Sequence, residues 1–145
     1  MIHSQKDRQK GLHGLLLLCW LVIGIGLRFT NLGEPSPSSI EISTLGFSLG
    51  NGFLGIPLDK VISLDTLLSP LQFNPTHNFR DVIDTLMSES THPPLSFVLT
   101  HWWLKLFSPQ EEVNSLWIAR SLNAILGAVS IPAIFALGTL AFRSR

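Results

Sequence analysis

Charge is scarce in this chain and cysteine nearly absent. Of 145 residues, 14% are Asp, Glu, Lys or Arg, against about 25% in ordinary soluble domains. Ten basic residues balance ten acidic ones, so the net charge is zero. A neutral chain with no basic stripe and no interleaved aromatics carries no footprint for nucleic acid. The single cysteine, Cys19, excludes an internal disulfide and a cysteine cluster for metal. Inside an apolar run it reads as a small lipid- or helix-facing residue. Also missing are a Walker A loop, a Gly-rich dinucleotide fingerprint, His-Glu-x-x-His and Gly-x-Ser-x-Gly.

What is abundant is apolar side chain, at 46%, and it collects in segments. A polar start at 1–10 carries Lys6, Arg8 and Lys10 against Asp7. Residues 11–27 follow, with Leu15-Leu16-Leu17-Leu18 and Leu21-Val22-Ile23 and no charge until Arg28. About 17 residues is the lower limit for a spanning helix. A basic start before an apolar run also has the form of a signal peptide. Arg28-Phe29-Thr30-Asn31-Leu32-Gly33 offers no small-x-small cleavage site, so the expectation is an uncleaved anchor. The basic flank places the N-terminus in the cytoplasm and the next loop outside.

Residues 116–142 form the longest apolar segment, interrupted by Arg120 and Asn123 near its start. Gly127, Ser130, Pro132 and Gly138 within it are expected to permit close helix packing in lipid. Residues 93–107 are apolar apart from His101 and Lys105 and carry Phe97, Trp102 and Trp103. They are short for a span and are expected to form a short transmembrane or re-entrant helix. A polar turn follows at 108–112. Three full spans would leave Arg143-Ser144-Arg145 outside, against the positive-inside rule. Either 93–107 does not cross fully or later spans set the orientation, and the sequence leaves both open.

The external loop, 28–92, begins with prolines and serines at 33–39 that break helix and strand alike. Ile42, Leu45 and Leu49 then recur at helical spacing, and Gly50-Asn51-Gly52 supplies a stop. Residues 56–71 are apolar but punctuated by Asp59 and Asp65, and read as helix or as a buried extended run. Asn74-Pro75-Thr76 signals a turn. Phe79, Val82, Ile83, Leu86 and Met87 fall at i, i+3, i+4, i+7 and i+8, an amphipathic helix. It would lie in the membrane interface or pack on the rest of the protein. The expected fold is an all-α integral membrane protein with two or three transmembrane helices and a long external loop carrying interfacial helices.

Ionisable residues at membrane depth are costly and often functional. Arg28 closes the first span, where snorkelling to anchor topology accounts for it. Glu41 follows the Pro/Ser turn, His92 caps the second apolar run, and Arg120 and Asn123 open the last one. Asp59, Asp65, Asp81 and Asp84 read as solvated faces or caps. In His92-Pro93-Pro94 two prolines fix the backbone at a helix start, where a missing N–H costs little. The imidazole is then held at the water–lipid boundary, able to donate to a phosphate or move protons near neutral pH. A plain helix entry is the other reading.

Three pieces in order resemble the N-terminal part of the polytopic glycosyltransferases that use lipid-phosphate sugar donors. These include the protein O-mannosyltransferases and aminoarabinose transferases of the GT-C superfamily. The pieces are Leu27-Arg28-Phe29-Thr30-Asn31-Leu32-Gly33, then His92-Pro93-Pro94-Leu95-Ser96-Phe97-Val98-Leu99 leading to Trp103, then Ala119-Arg120-Ser121-Leu122-Asn123-Ala124-Ile125-Leu126-Gly127. The resemblance implies a polyprenyl-phosphate sugar donor in the plasma (inner) membrane and transfer to an acceptor on the external side. The family carries an acidic pair early in this loop, whose carboxylate acts as base on the acceptor or helps hold a divalent metal. The matching positions read Ile40-Glu41, so Glu41 alone matches. By the same resemblance His92 and Arg120 would contact the donor phosphate, and further spans would follow Arg145. The chain is thus expected to be an N-terminal fragment or degenerate copy of such an enzyme, with room for a partner chain. The alternatives are a small non-catalytic membrane protein that binds lipid phosphate or a partner helix, and a non-functional truncated product.

Overall fold

The computed structural model describes residues 2–57, 59–107 and 115–142, with backbone alone for 2–10 and for Ser115. The turn expected at 108–112 and the basic stretch at 143–145 lie outside the described residues. Among the described residues the fold is helical throughout, without strands. The order is α1 (Ile2–Phe29), α2 (Ser39–Ser48), α3 (Leu64–Leu68), a 3-10 turn (Ser69–Leu71), α4 (Phe79–Glu89), α5 (Leu95–Phe107) and α6 (Ser115–Phe142). The chain divides into two units, one of Met1–Leu32 with Asn123–Arg145 and one of Gly33–Leu122.

The first unit holds two helices long and apolar enough to cross a membrane, Gly11–Phe29 and Leu116–Phe142, the latter starting in the second unit. Only 6% of each apolar window is buried, so neither is the buried core helix of a soluble fold. The first helix ends where Asn31 turns to φ 57°, a left-handed conformation that Asn tolerates better than most side chains. Within this unit α1 and α6 meet at small residues. A Cβ on Gly24 would strike the Ile131 side chain, and one on Gly127 would strike the Arg28 guanidinium. Close approach at Gly127 is the packing its sequence suggested, whereas a Cβ on Gly138 would meet open space. Gly24→Leu is therefore expected to weaken the helix pair by about 1–3 kcal/mol. Gly26→Leu is the control, because a Cβ there meets nothing within 4 Å. Equal unfolding midpoints for the two variants in micelles would contradict this packing.

In the second unit three helices, α2, α4 and α5, pack on one another. Ser38 and Glu41 open α2 with a capping box, each side chain closing on the other's backbone N–H. The helix ends at Leu49, and Gly50 takes φ 79°, where any side chain is strained and a Cβ would press on His77. The loop after α2 is held from two sides. Asn51 Nδ2 donates to the carbonyls of Pro70 and Gln72, and the Glu89 carboxylate accepts from the N–H groups of Phe53 and Leu54.

The stripe expected over 79–87 is α4, and it divides. Val82 and Leu86 are fully buried against Phe97, while Met87 is exposed. On α5, Phe97, Thr100, His101 and Leu104 point inward at i, i+3, i+4 and i+7. Leu95, Leu99, Trp102 and Leu106 form an outward face that is also apolar. A second cluster joins Leu45, Leu49, Leu104 and Ile118, flanked by Trp103, whose indole N–H donates to the Ile118 carbonyl and the Ser121 hydroxyl. Residues 56–71, expected as helix or buried extended chain, are mostly exposed and become helical from Leu64.

One buried polar atom lacks a partner among the described residues, the hydroxyl of Ser48. An unsatisfied buried hydroxyl costs about 1–3 kcal/mol. Ser48→Ala is accordingly expected to raise the unfolding midpoint of the full chain. A lowered midpoint would show that the hydroxyl is satisfied.

Candidate functional site

The structure brings two of the three sequence-designated residues together across 79 positions. Arg120 stands in the second turn of α6 and Glu41 in the first turn of α2. The guanidinium meets the carboxylate side-on, Nε donating to Oε1 at 2.9 Å and Nη2 to Oε2 at 3.0 Å. The same Nη2 donates to the Pro35 carbonyl at 3.0 Å. Two parallel bonds of this kind are the strong form of a charge pair. Oε2 also accepts from the Ser38 N–H at 3.0 Å. The pair thus ties the Pro/Ser segment, the start of α2 and the start of α6 into one knot.

This engagement sets the chemistry of Glu41. Hydrogen bonding from Arg120, then from the Ser38 backbone, holds its carboxyl at about 2 against an ordinary 4.5, with burial opposing. A folded-state value below the unfolded one stabilises the fold above about pH 4.5. That contribution is lost as pH falls from there through about 2. A carboxylate so held is a poor proton acceptor near neutral pH. The base role that the resemblance implies for Glu41 therefore gives way to a positioning role. A divalent metal fits no better. Both carboxylate oxygens are engaged, Ile40 beside it is 75% exposed and aliphatic, and no group of three or more His, Cys, Asp or Glu that could hold a metal exists among the described residues.

His92 lies elsewhere in the unit. Its Nδ1 is 2.7 Å from the Ser90 hydroxyl, which also accepts from the His92 N–H, and its ring packs edgewise 6.3 Å from Phe97. With Pro93, Pro94, Ile83 and Met87 it lines a cleft of about 450 Å³. The side chain is exposed and α5 begins just beyond, so the two prolines do open a helix as their chemistry favours.

A second cavity, of about 300 Å³, is lined by Asn78, Phe79, His101, Trp102 and Lys105. Reading the sequence for polar residues at membrane boundaries passed over His101, a mere interruption of an apolar run. The signal that marks it is its place between Phe97 and Leu104 on the inward stripe of α5. The residue is 4% exposed and its Nδ1 is 2.8 Å from the Ser48 carbonyl, 53 positions away. Burial pushes the imidazole below its ordinary 6.5. Lys105 and His77 act in the same direction, opposed by the Ser48 carbonyl and Asp81.

Comparison with protein-family models, with curated proteins and with solved structures finds no match to this chain.

Proposed function

We propose that the chain is an integral protein of the plasma (inner) membrane, crossing the bilayer twice, with its polar helical unit on the external face. The observation that carries this is the pair of exposed, apolar helices of spanning length on either side of that unit. Residues 123–142 of α6 are about 30 Å long at 1.5 Å per residue, the thickness of the hydrocarbon core. The thirteen residues of α5 reach only about 20 Å. With two crossings, Lys6, Arg8 and Lys10 share one side with Arg143 and Arg145, as the positive-inside rule asks. The outward apolar face of α5 then rests in the interface, where Trp102 is well suited.

Its activity, in this reading, is recognition of a polyprenyl-phosphate sugar by an N-terminal fragment or degenerate copy of the lipid-phosphate glycosyltransferases. Support comes from the order of the three resembling pieces and from the exposed His92 imidazole at the mouth of a largely apolar cleft. The non-catalytic alternative, binding without transfer, draws on two observations. Ile40 stands exposed at the position of the family's acid, and Glu41 is committed to Arg120.

The test is native mass spectrometry of the full chain in nanodiscs containing a polyprenyl phosphate or the matching polyprenol. Retention of the phosphate over the alcohol, weakened by His92→Ala, is expected. No preference between them contradicts the reading. Transfer of sugar from a charged donor would select the enzyme over the binding protein.

A further inference from the structure

Arg28 is the only Asp, Glu, Lys or Arg in 11–32 and 123–142. It is the penultimate residue of the spanning segment Gly11–Phe29. An arginine at a span end usually extends toward water. This one turns back. Its Nη1 donates at 3.1 Å to the carbonyl of Gly24, one turn nearer the middle of the span. Its Nε and Cδ lie against Gly127 of α6, where a Cβ would collide with them. Gly127 is four residues into the stretch 123–142, about 6 Å from its start at 1.5 Å per residue. The Gly24 carbonyl is the one hydrogen-bond partner of the guanidinium among the described residues, and the side chain stays exposed.

A cation at that depth is costly until an anion pairs with it. The two helices supply no carboxylate, so the anion comes from outside them. A guanidinium has five N–H groups in a fixed fork, which matches the paired oxygens of a phosphate. The surfaces beside it are apolar and open, with Leu27 75%, Ile23 49% and Leu126 48% exposed. A free phosphate gains nothing from them, whereas a phospholipid lays its acyl chains there. A phosphodiester carries one negative charge against one guanidinium. A zwitterionic headgroup brings its own ammonium to that phosphate, so an anionic headgroup is favoured. We propose that Arg28, seated on Gly127, binds the phosphodiester of an anionic glycerophospholipid in the external leaflet, with its acyl chains along the exposed side chains of α1 and α6. The inference rests on the two-crossing reading and is separate from the His92 cleft.

The experiment is native mass spectrometry of the full chain released from nanodiscs of equal phosphatidylglycerol and phosphatidylcholine. The parent is expected to retain phosphatidylglycerol in preference. Arg28→Gln is expected to lower that preference about tenfold, the loss of one charge-assisted pair. Gly127→Leu fills the seat while keeping the charge and is expected to act in the same direction. Gly138→Leu, where a Cβ meets open space, is expected to retain lipid as the parent does. Inorganic phosphate in excess is expected not to displace the lipid. The inference is overturned if the parent shows no preference, if Arg28→Gln retains lipid as the parent does, or if free phosphate displaces it. An equal preference in Gly127→Leu overturns the seat. Extraction of the parent from membranes by alkaline carbonate would overturn the crossing itself, whereas a chain that stays in the membrane without lipid preference overturns this inference alone.

Discussion

Leu104→Ala is expected to cost the second unit about 2–5 kcal/mol. Leu104 is 1% exposed and joins Leu45 and Leu49 of α2 to Ile118 at the start of α6. Truncation removes the transfer free energy of three carbons and leaves a void that neighbours fill only in part. The unit has little reserve, because its other buried cluster is as small, with Val82, Leu86 and Phe97 at its centre. Native domains are stable by only about 5–15 kcal/mol, so this single loss is a large fraction of the whole. Denaturant unfolding of the full chain in micelles, followed through Trp103 against that cluster, measures it. Leu106→Ala, outward on the same helix, is the control and is expected to change stability by less than about 1 kcal/mol in micelles. If both variants unfold alike, α5 does not face the core through Leu104.

Arg120→Ala is expected to release the Pro/Ser segment and to move the Glu41 titration upward. The guanidinium is the largest cause of the depressed Glu41 carboxyl. Without it the value rises from about 2 towards 4.5, and the Ser38 N–H holds back part of the rise. Acid loss of the stability that this pair contributes then begins and ends at higher pH. Because Glu41 is 38% exposed, solvent screens the pair, and the expected stability loss is small. Arg120→Lys does not restore it, since one ammonium cannot make the side-on pair. Carboxyl ¹³C titration of Glu41 in parent and variant checks the shift. A titration unmoved by Arg120→Ala would remove the charge pair from this account.

Local pattern made much of the fold legible. The amphipathic spacing over 79–87 marked α4, and the two long apolar runs marked α1 and α6. Boundaries were less legible. The polar stretch 2–10, set apart as an N-terminal tail, continues α1 as helix, since its residues carry no helix breaker. The segment at 93–107 shows why composition misleads. It is apolar on both faces, and only the fold distinguishes the inward side of Phe97 and Leu104 from the outward side of Leu95 and Leu106.

The candidate site was legible as residues but not as an arrangement. Glu41 and Arg120 stood out singly, yet nothing local joins positions 79 apart, and their pairing changes the role of the carboxylate. His101 depends on a backbone carbonyl 53 positions away, a partner that carries no sequence signal at all.

The central claim is a two-crossing topology with the polar unit on one face and both basic flanks on the other. It is tested most directly by labelling single cysteines in a Cys19→Ser background with a membrane-impermeant maleimide. The account predicts that Thr76→Cys reacts in intact cells, whereas Ser4→Cys and Ser144→Cys react only after the cells are opened. Labelling of Ser4→Cys and Ser144→Cys from opposite faces, or protection of Thr76→Cys together with both, would contradict it.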